Sequence, residues 1–321
     1  MNSHNSIEVG LGLWTMRSTA YAPAPWQSLY RQMVDDASLA ERRGFNTFWL
    51  AEHHFWYDGW CPQPLVAASA ILSATTTLRV GTAMHLLPMH DPTEVSRELA
   101  AMRRLHGARI DFGVGLGYRD EEYDGVGIAR RSRGQRMSNH LDALLTGEAT
   151  DDVPIFVGGI ADAAIRRAGS RGLSLLLPNT LSAREVRRRI DMAAEEADAR
   201  GLPPGRTGML IDTWIVGKHE SQTVVTDRLA RHYREYAGAW YSVSGSPMFS
   251  RPDLLDRQSA RTRDAAVIGS SKHVLERLME LRDVGVDTFV LQVRSDTAAV
   301  DYRRVIDELA DDVLDDLRAA A

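Results

Sequence analysis

The sequence predicts an α/β fold in which eight parallel strands close into a (β/α)8 TIM barrel. Short apolar runs alternate with longer amphipathic stretches along nearly all of its 321 residues. This alternation is typical of parallel strands joined by right-handed crossover helices. Several runs lack polar alternation, which indicates strands covered on both faces. Eight such units in a chain of this length fit a barrel, with a doubly wound open sheet as the alternative. We expect a single domain over residues 1–321.

The elements follow one another in a regular order. The strands are predicted at residues 7–14, 45–51, 78–87, 110–117, 154–159, 173–178, 209–216 and 288–293. Most of the helices between them end next to a glycine, a common signal of a helix C-terminus. They are predicted at residues 26–43, 64–74, 93–105, 134–145, 162–171, 183–200, 221–237, 272–284 and 301–318.

The connection between the seventh and eighth strands is longer than one helix requires. Residues 242–266 contain Ser-Val-Ser-Gly-Ser-Pro and lack a helical period. Long loops in compact domains are often lids over a site, so we predict an irregular lid-like segment here. A solvated insertion without a role is the alternative.

Composition excludes several classes of protein. The formal net charge of −5 is mild and acidic, which argues against a nucleic-acid binder. A lone cysteine, Cys61, excludes an internal disulfide and a thiolate zinc site. The N-terminus has no basic region, and every apolar run is too short to span a membrane. We therefore expect a cytoplasmic protein that acts on a small molecule.

Candidate catalytic residues follow the second strand. In a barrel, the chemistry lies on the loops after the carboxyl ends of the strands. Glu52, His53 and His54 occupy this position, and an imidazole beside a carboxylate can act as a general base near neutral pH. Structural histidines are the alternative. His85 and His90 are further ligand types, but the spacing matches no metal motif, so we predict no metal.

Glycines follow the fourth and fifth strands. Gly113, Gly115 and Gly117 alternate in a spacing that differs from the dinucleotide fingerprint, and they would let a flat ligand lie on the backbone. Gly158 and Gly159, followed by Ile160, precede a helix whose N-terminus could bind a phosphate; a plain tight turn is the alternative. An arginine cluster could reach the same phosphate, or could be a solvated helix start: Arg130, Arg131, Arg133 and Arg136.

Seven motifs in order resemble the bacterial luciferase-like flavin-dependent monooxygenases, and together they span nearly the whole chain. They are Ala51-Glu52-His53-His54, Val80-Gly81-Thr82-Ala83, Leu87-Pro88 with Asp91-Pro92, Phe112-Gly113-Val114-Gly115-Leu116-Gly117, Phe156-Val157-Gly158-Gly159, Val267-Ile268-Gly269-Ser270 and Val284-Gly285-Val286-Asp287.

The resemblance implies a flavin-binding barrel, usually a homodimer, in which reduced FMN and O2 oxygenate an organic substrate. A separate NAD(P)H:flavin reductase supplies the reduced flavin. His53 matches the catalytic histidine of the family and His54 its neighbour. Ala83 and Met84 match a pair joined by a non-prolyl cis peptide beneath the flavin ring. The cofactor-binding positions carried over are Gly115, Gly117, Gly158, Gly159 and Ile160, with Arg133 or Arg136 at the phosphate.

The chain departs from the luciferase subunits at two places. Gly115 and Leu116 replace a cysteine and an arginine, and Gly159 and Ile160 replace a glutamate and a serine. The Glu-His-His sequence is more similar to the FMN branch than to the F420 branch, which transfers hydride. An F420-dependent oxidoreductase and a non-catalytic flavin-binding protein remain as alternatives. Aromatic residues predict a largely apolar substrate pocket: Trp14, Trp56, Tyr118 and Trp214.

Overall fold

The fold is a closed barrel of eight parallel strands surrounded by helices. The computed structural model describes residues 6–18, 23–56, 59–147, 150, 152–230, 252–293 and 299–319. The strands are β1 Glu8–Trp14, β2 Thr47–Leu50, β3 Arg79–Thr82, β4 Ile110–Val114, β5 Ile155–Gly158, β6 Ser174–Pro178, β7 Thr207–Ile215, β8 Val267–Gly269 and β9 Thr288–Gln292.

Helices alternate with these strands. They are α1 Trp26–Arg42, α2 Pro64–Ala74, α3 Pro92–His106, α4 Asp120–Gly125, α5 Arg133–Leu145, α6 Asp162–Gly169, α7 Ala183–Asp198, α8 over the described residues 222–230, α9 Pro252–Ala265, α10 Ser271–Val284, α11 Ala299–Asp312 and α12 Leu314–Ala319. The C-terminal helix predicted as one element is therefore two. No helix in the described ranges is long and apolar enough to cross a membrane.

Parallel pairing closes the barrel and confirms the predicted (β/α)8 fold. Strands β1 to β7 pair in sequence order, and β9 pairs with both β7 and β1. Thr288, for example, is in register with Glu8 on one side and with Gly208 on the other. The eight predicted strands are the eight strands of this ring. Two of them were predicted too long, because β3 ends at Thr82 and β4 at Val114, and beyond Thr82 only an isolated bridge between His85 and Val114 continues the pairing in the described residues.

The predicted irregular segment is wrong where the structure describes it. Residues 252–265 form helix α9, and the short strand β8 follows it and pairs with the end of β7. Pro252 opens α9, and proline is favoured in the first turn of a helix. Ser259 donates to the carbonyl of Ala230 at 2.7 Å and so joins α9 to α8. Residues 242–251 lie outside the described part of the chain.

Two apolar layers and one charged layer make the core. A large apolar cluster packs the helices on the outside of the strands. A smaller cluster that includes Trp49, Phe156 and Val290 packs against Met84 inside the barrel. At the amino ends of the strands, the Arg79 Nη2 lies 3.0 Å from Asp111 Oδ2, within a network of charged side chains. Side chains therefore fill the interior of the barrel, as is usual for this fold.

Candidate active site

A cavity of about 470 Å³ lies over the carboxyl ends of the strands. The loops after β1 to β5 form its walls, with Gln292 of β9 also reaching it. Eight of the sequence-predicted site residues line it: His53, Ala83, Met84, Gly115, Gly117, Gly158, Gly159 and Ile160. The other three, His54, Arg133 and Arg136, are not among its lining residues. Its volume is in the usual range for small-ligand sites.

Met84 packs against glycines at the carboxyl ends of β4 and β5. The Ala83–Met84 peptide bond is cis, as the resemblance implied, and Gly12–Leu13 is a second cis bond that the sequence did not predict. A Cβ added to Gly158 would lie 2.5 Å from the Met84 Cε, and one added to Gly115 would lie 2.7 Å from the Met84 Cβ. The glycines at these two positions therefore make room for the side chain of Met84, and both also line the cavity, so their contact with a ligand stays a prediction.

His53 faces the cavity and has a partner at each ring nitrogen. Its Nδ1 lies 2.8 Å from Glu122 Oε1, and its Nε2 lies 3.1 Å from the hydroxyl of Tyr118. Trp60 packs edge to face with the imidazole at a centroid distance of 4.5 Å. Glu122 is fully buried in α4. This carboxylate was missed from sequence, because it lies in an acidic run that is typical of any first helical turn.

His54 has a different environment. Its Nε2 donates to Glu52 Oε1 at 2.6 Å, and Glu52 is a buried carboxylate with a cluster of further histidines around it. Burial lowers the pKa of His54, but the hydrogen bond and charge of Glu52 outweigh burial and raise it. The two adjacent histidines therefore have different roles. The imidazole of His53 lines the cavity, and that of His54 forms a hydrogen bond with Glu52.

Glu52 is the centre of this cluster. It accepts from His90 Nε2 at 2.7 Å and from the backbone N–H of Leu86 at 3.0 Å, and His85 Nδ1 lies 2.7 Å from its Oε2. Burial raises the pKa of Glu52, yet the charge of His85 and the imidazole hydrogen bonds hold it well below its usual value. In the described residues, Glu52, His85 and His90 place ligand-type atoms within 4.8 Å of one another. Hydrogen bonds from N–H groups already reach both oxygens of Glu52, and the expected absence of a metal stays a prediction.

The far end of the cavity is the N-terminus of α6. Ala161 is the N-cap residue and provides no side-chain cap, so backbone N–H groups of the first turn point out of the helix without a side-chain acceptor. Gly159 has a φ of +142°, in the region that favours glycine. Arg189 of α7 donates to the carbonyl of Ile160 at 3.1 Å and thereby fixes the loop. These features can hold a phosphate.

The predicted phosphate arginines are engaged elsewhere. Arg136 Nε donates to the Pro88 carbonyl at 2.7 Å, and Arg133 Nη1 donates to the Arg130 carbonyl at 3.1 Å. Both are therefore used in fixing loops outside the cavity. Arg17, which the sequence analysis did not single out, does line the cavity, with its guanidinium 4.9 Å from the centre of the Trp60 ring.

The aromatic lining also differs from the prediction. Tyr118 lines the cavity as expected, and Trp60 takes the place of the three predicted tryptophans. Trp14 is in the core and donates to Asp36 at 3.2 Å; Trp214 donates to Glu220 at 3.1 Å. Trp56 packs under the guanidinium of Arg119 at 4.2 Å.

The amino-acid sequence of the chain is similar to sequences of known proteins. A sequence profile of luciferase-like monooxygenases matches residues 12–288. The chain belongs to this family. The alkanal monooxygenase alpha chain of the Kryptophanaron alfredi symbiont is 24% identical over 240 residues, which are 66% of this chain and 67% of that one. Uncharacterized protein y4vJ of Sinorhizobium fredii is 35% identical over 120 residues, 37% of this chain and 34% of its own length. The match thus spans about a third of the length of that relative.

Solved structures share the fold of this luciferase-like chain. The oxygenating constituent of 3,6-diketocamphane monooxygenase from Pseudomonas putida, in complex with FMN, has a TM-score of 0.75 at 15% identity, covering 96% of this chain and 98% of that one. An F420-dependent secondary alcohol dehydrogenase has a TM-score of 0.73 at 16% identity, covering 96% and 98%. Enzymes of both cofactor types therefore share this barrel.

Proposed function

We propose that this protein is an FMN-dependent monooxygenase that uses O2 to oxygenate a small, largely apolar organic substrate. The observation that carries the proposal is one cavity with a histidine ring at one end and an uncapped helix N-terminus at the other. This arrangement suits a cofactor that has both a reactive ring and a phosphate. The Glu52-His53-His54 sequence favours FMN over F420.

The residues of the cavity fit such a cofactor. The N-terminus of α6 would bind the phosphate through backbone N–H groups, and Ala83 and Met84 would support the ring from below. Reduced FMN, when bound there, would supply the electrons that activate O2. His53 can then accept or donate a proton at Nε2, because its Nδ1 is already engaged by Glu122. Trp60 and Leu86 add apolar side chains to the lining of the cavity.

The proposed function also implies a partner protein, a cellular location and an oligomeric state. We expect a separate NAD(P)H:flavin reductase, a cytoplasmic location and a homodimer. Support for the dimer comes from α2 and α3, which lie side by side through a 2.9 Å hydrogen bond between Ser69 and His106. Val66 of α2 and Leu105 of α3 are 70% and 73% exposed, and large exposed apolar residues often mark an interface.

Cofactor identity tests the proposal. The purified protein is denatured, and the released chromophore is identified by absorbance and mass; we expect FMN. Photoreduced FMN is then supplied with candidate substrates, and we expect substrate-dependent O2 uptake with an oxygenated product. Release of F420, with substrate oxidation that consumes no O2, would establish the hydride-transfer alternative. Stable binding of oxidised FMN without substrate turnover would identify a non-catalytic flavin-binding protein.

A further inference from the structure

The imidazole of His53 is held by residues from two parts of the chain that are distant in sequence. His53 follows β2, Tyr118 follows β4, and Glu122 lies in α4. The Glu122 carboxylate is fully buried, and the side chain of His53 is 9% exposed. Trp60, in the same loop as His53, also packs against the ring. A ring enclosed in this way cannot exchange its hydrogen-bond partners freely with water.

The hydrogen bonds determine which nitrogen carries the proton. Glu122 Oε1 lies 2.8 Å from Nδ1, and this oxygen also accepts the backbone N–H of His54 at 2.9 Å. A carboxylate oxygen in this role is an acceptor, so Nδ1 must be the donor. In the neutral imidazole, Nε2 then has the free lone pair, and it can accept from the hydroxyl of Tyr118 at 3.1 Å.

We propose that Glu122 is a positioning residue that fixes His53 in the Nδ1–H tautomer, with the basic Nε2 facing the cavity. The proposal rests on the proposed function, since it gives His53 a proton to accept or donate there. One oxygen of Glu122 fixes both the imidazole of His53 and the backbone of His54. A carboxylate that orients a histidine in this way is a recurrent device in general-base sites.

A purely structural role for Glu122 is the competing explanation. Arg119 is also buried, with its Nη1 3.5 Å from Glu122 Oε1, so the carboxylate could serve only to neutralise this guanidinium. The two roles differ in their consequences. Neutralisation needs the charge of Glu122, whereas selection of the tautomer needs only an acceptor oxygen at that place. Glu122→Gln keeps an acceptor and removes the charge, and Glu122→Leu removes both at similar volume.

The test measures the tautomer of His53 directly by ¹⁵N NMR of histidine-labelled protein, with the signal assigned through His53→Gln. We expect the Nδ1–H tautomer in the wild type, in Glu122→Gln and in the neighbouring control Glu121→Gln. In Glu122→Leu we expect the Nε2–H tautomer, with kcat lower by about 10- to 100-fold and KM little changed, part of the 10²–10⁴-fold that a general base supplies. Circular dichroism checks that each variant is folded.

The proposal is overturned if the wild type itself shows the Nε2–H tautomer, a result that requires no variant to fold. It is also overturned if folded Glu122→Leu keeps the Nδ1–H tautomer, or if Glu122→Gln loses as much kcat as Glu122→Leu. The tautomer is read without flavin or substrate. Failure of the monooxygenase assay together with the expected tautomers would therefore count against the proposed function and not against this role of Glu122.

Discussion

The Glu52 Oε1 lies 2.7 Å from the Nε2 of His90, a residue 38 positions later in the chain. This contact joins the loop after β2 to the loop after β3. The same carboxylate accepts the N–H of Leu86 at 3.0 Å, three residues after Ala83. Glu52 therefore fixes the wall that contains Ala83 and Met84 relative to the neighbouring His53.

Loss of the Glu52 charge should destabilise the barrel at this point. In Glu52→Gln we expect the free energy of unfolding to fall by about 1–3 kcal/mol, because the amide nitrogen cannot accept a hydrogen bond and leaves a buried N–H donor without its partner. The affinity for flavin should fall as well, because the wall of the cavity loses its anchor. Urea denaturation and flavin titration measure the two effects. Exposed Glu98 of α3 provides the control Glu98→Gln, and equal stability of the two variants would contradict the role of Glu52.

The hydrogen bonds of a second carboxylate, that of Glu41, predict that the stability of the protein depends on pH. Glu41 Oε1 accepts the backbone N–H groups of Thr76, Thr77 and Leu78 at 2.8, 2.6 and 2.9 Å. Burial raises the pKa of Glu41, but these hydrogen bonds outweigh it and lower the pKa from 4.5 to about 2. Because the folded-state pKa is lowered, the stabilisation is complete above pH 4.5 and is lost as the pH falls towards about 2.

Glu41→Gln measures this contribution. We expect the variant to unfold with a free energy about 1–3 kcal/mol below that of the wild type at neutral pH, the usual range for hydrogen bonds to a charged group. The difference should shrink as the pH is lowered below the ordinary carboxyl pKa. Urea denaturation at a series of pH values gives the curve. A difference that is the same at neutral and acidic pH would show that the charge of Glu41 is not responsible.

The sequence predicts the scaffold better than the site. Apolar periodicity places all eight barrel strands, because each strand is covered on both faces and its pattern is local. Glu122 and His53 are 69 residues apart, and Arg189 and Ile160 are 29 apart; these partners meet only when the barrel closes, so no local pattern shows them. The sequence predicted that Gly158 lies at the cavity. It did not show why a glycine is needed there, because the side chain that packs against it, Met84, follows a different strand.

The exposed apolar residues of α2 and α3 predict the interface of the proposed dimer. Val66→Arg and Leu105→Arg together should shift the protein to monomers, because a buried unpaired charge is costly at an interface. Light scattering at micromolar concentration measures the change. The matched control is Val224→Arg, at a residue of α8 that is 63% exposed. Dimers that persist in the double variant, or a wild type that is monomeric, would refute an interface through α2 and α3.

The position of His53 predicts a kinetic effect. His53→Ala should lower turnover by about 10²–10⁴-fold, the usual contribution of a general acid or base, while flavin still binds, because the phosphate end of the cavity is unchanged. Stopped-flow turnover with saturating reduced FMN and a flavin titration measure the two properties. His219→Ala, at an exposed histidine, is the control. Unchanged turnover in His53→Ala would remove His53 from the reaction.

A substitution at Ala161 should change the stability of α6 and the affinity for FMN in opposite directions. Its side chain lines the cavity at the N-cap of α6, with a φ of −73° and a ψ of 142° that an N-cap aspartate can adopt. Ala161→Asp should stabilise the helix by about 1 kcal/mol, because the new carboxylate accepts the free N–H groups of the first turn. The same carboxylate should weaken FMN binding by at least about tenfold, since it occupies the phosphate donors and repels the anion. Calorimetric unfolding should therefore show a more stable protein, while FMN titration shows a lower affinity.

The control variant is Pro25→Asp, which places the same cap on α1. This helix also lacks a side-chain cap and lies away from the cavity, so the affinity for FMN should not change. An Ala161→Asp variant that binds FMN as tightly as the wild type would exclude the start of α6 as the phosphate site.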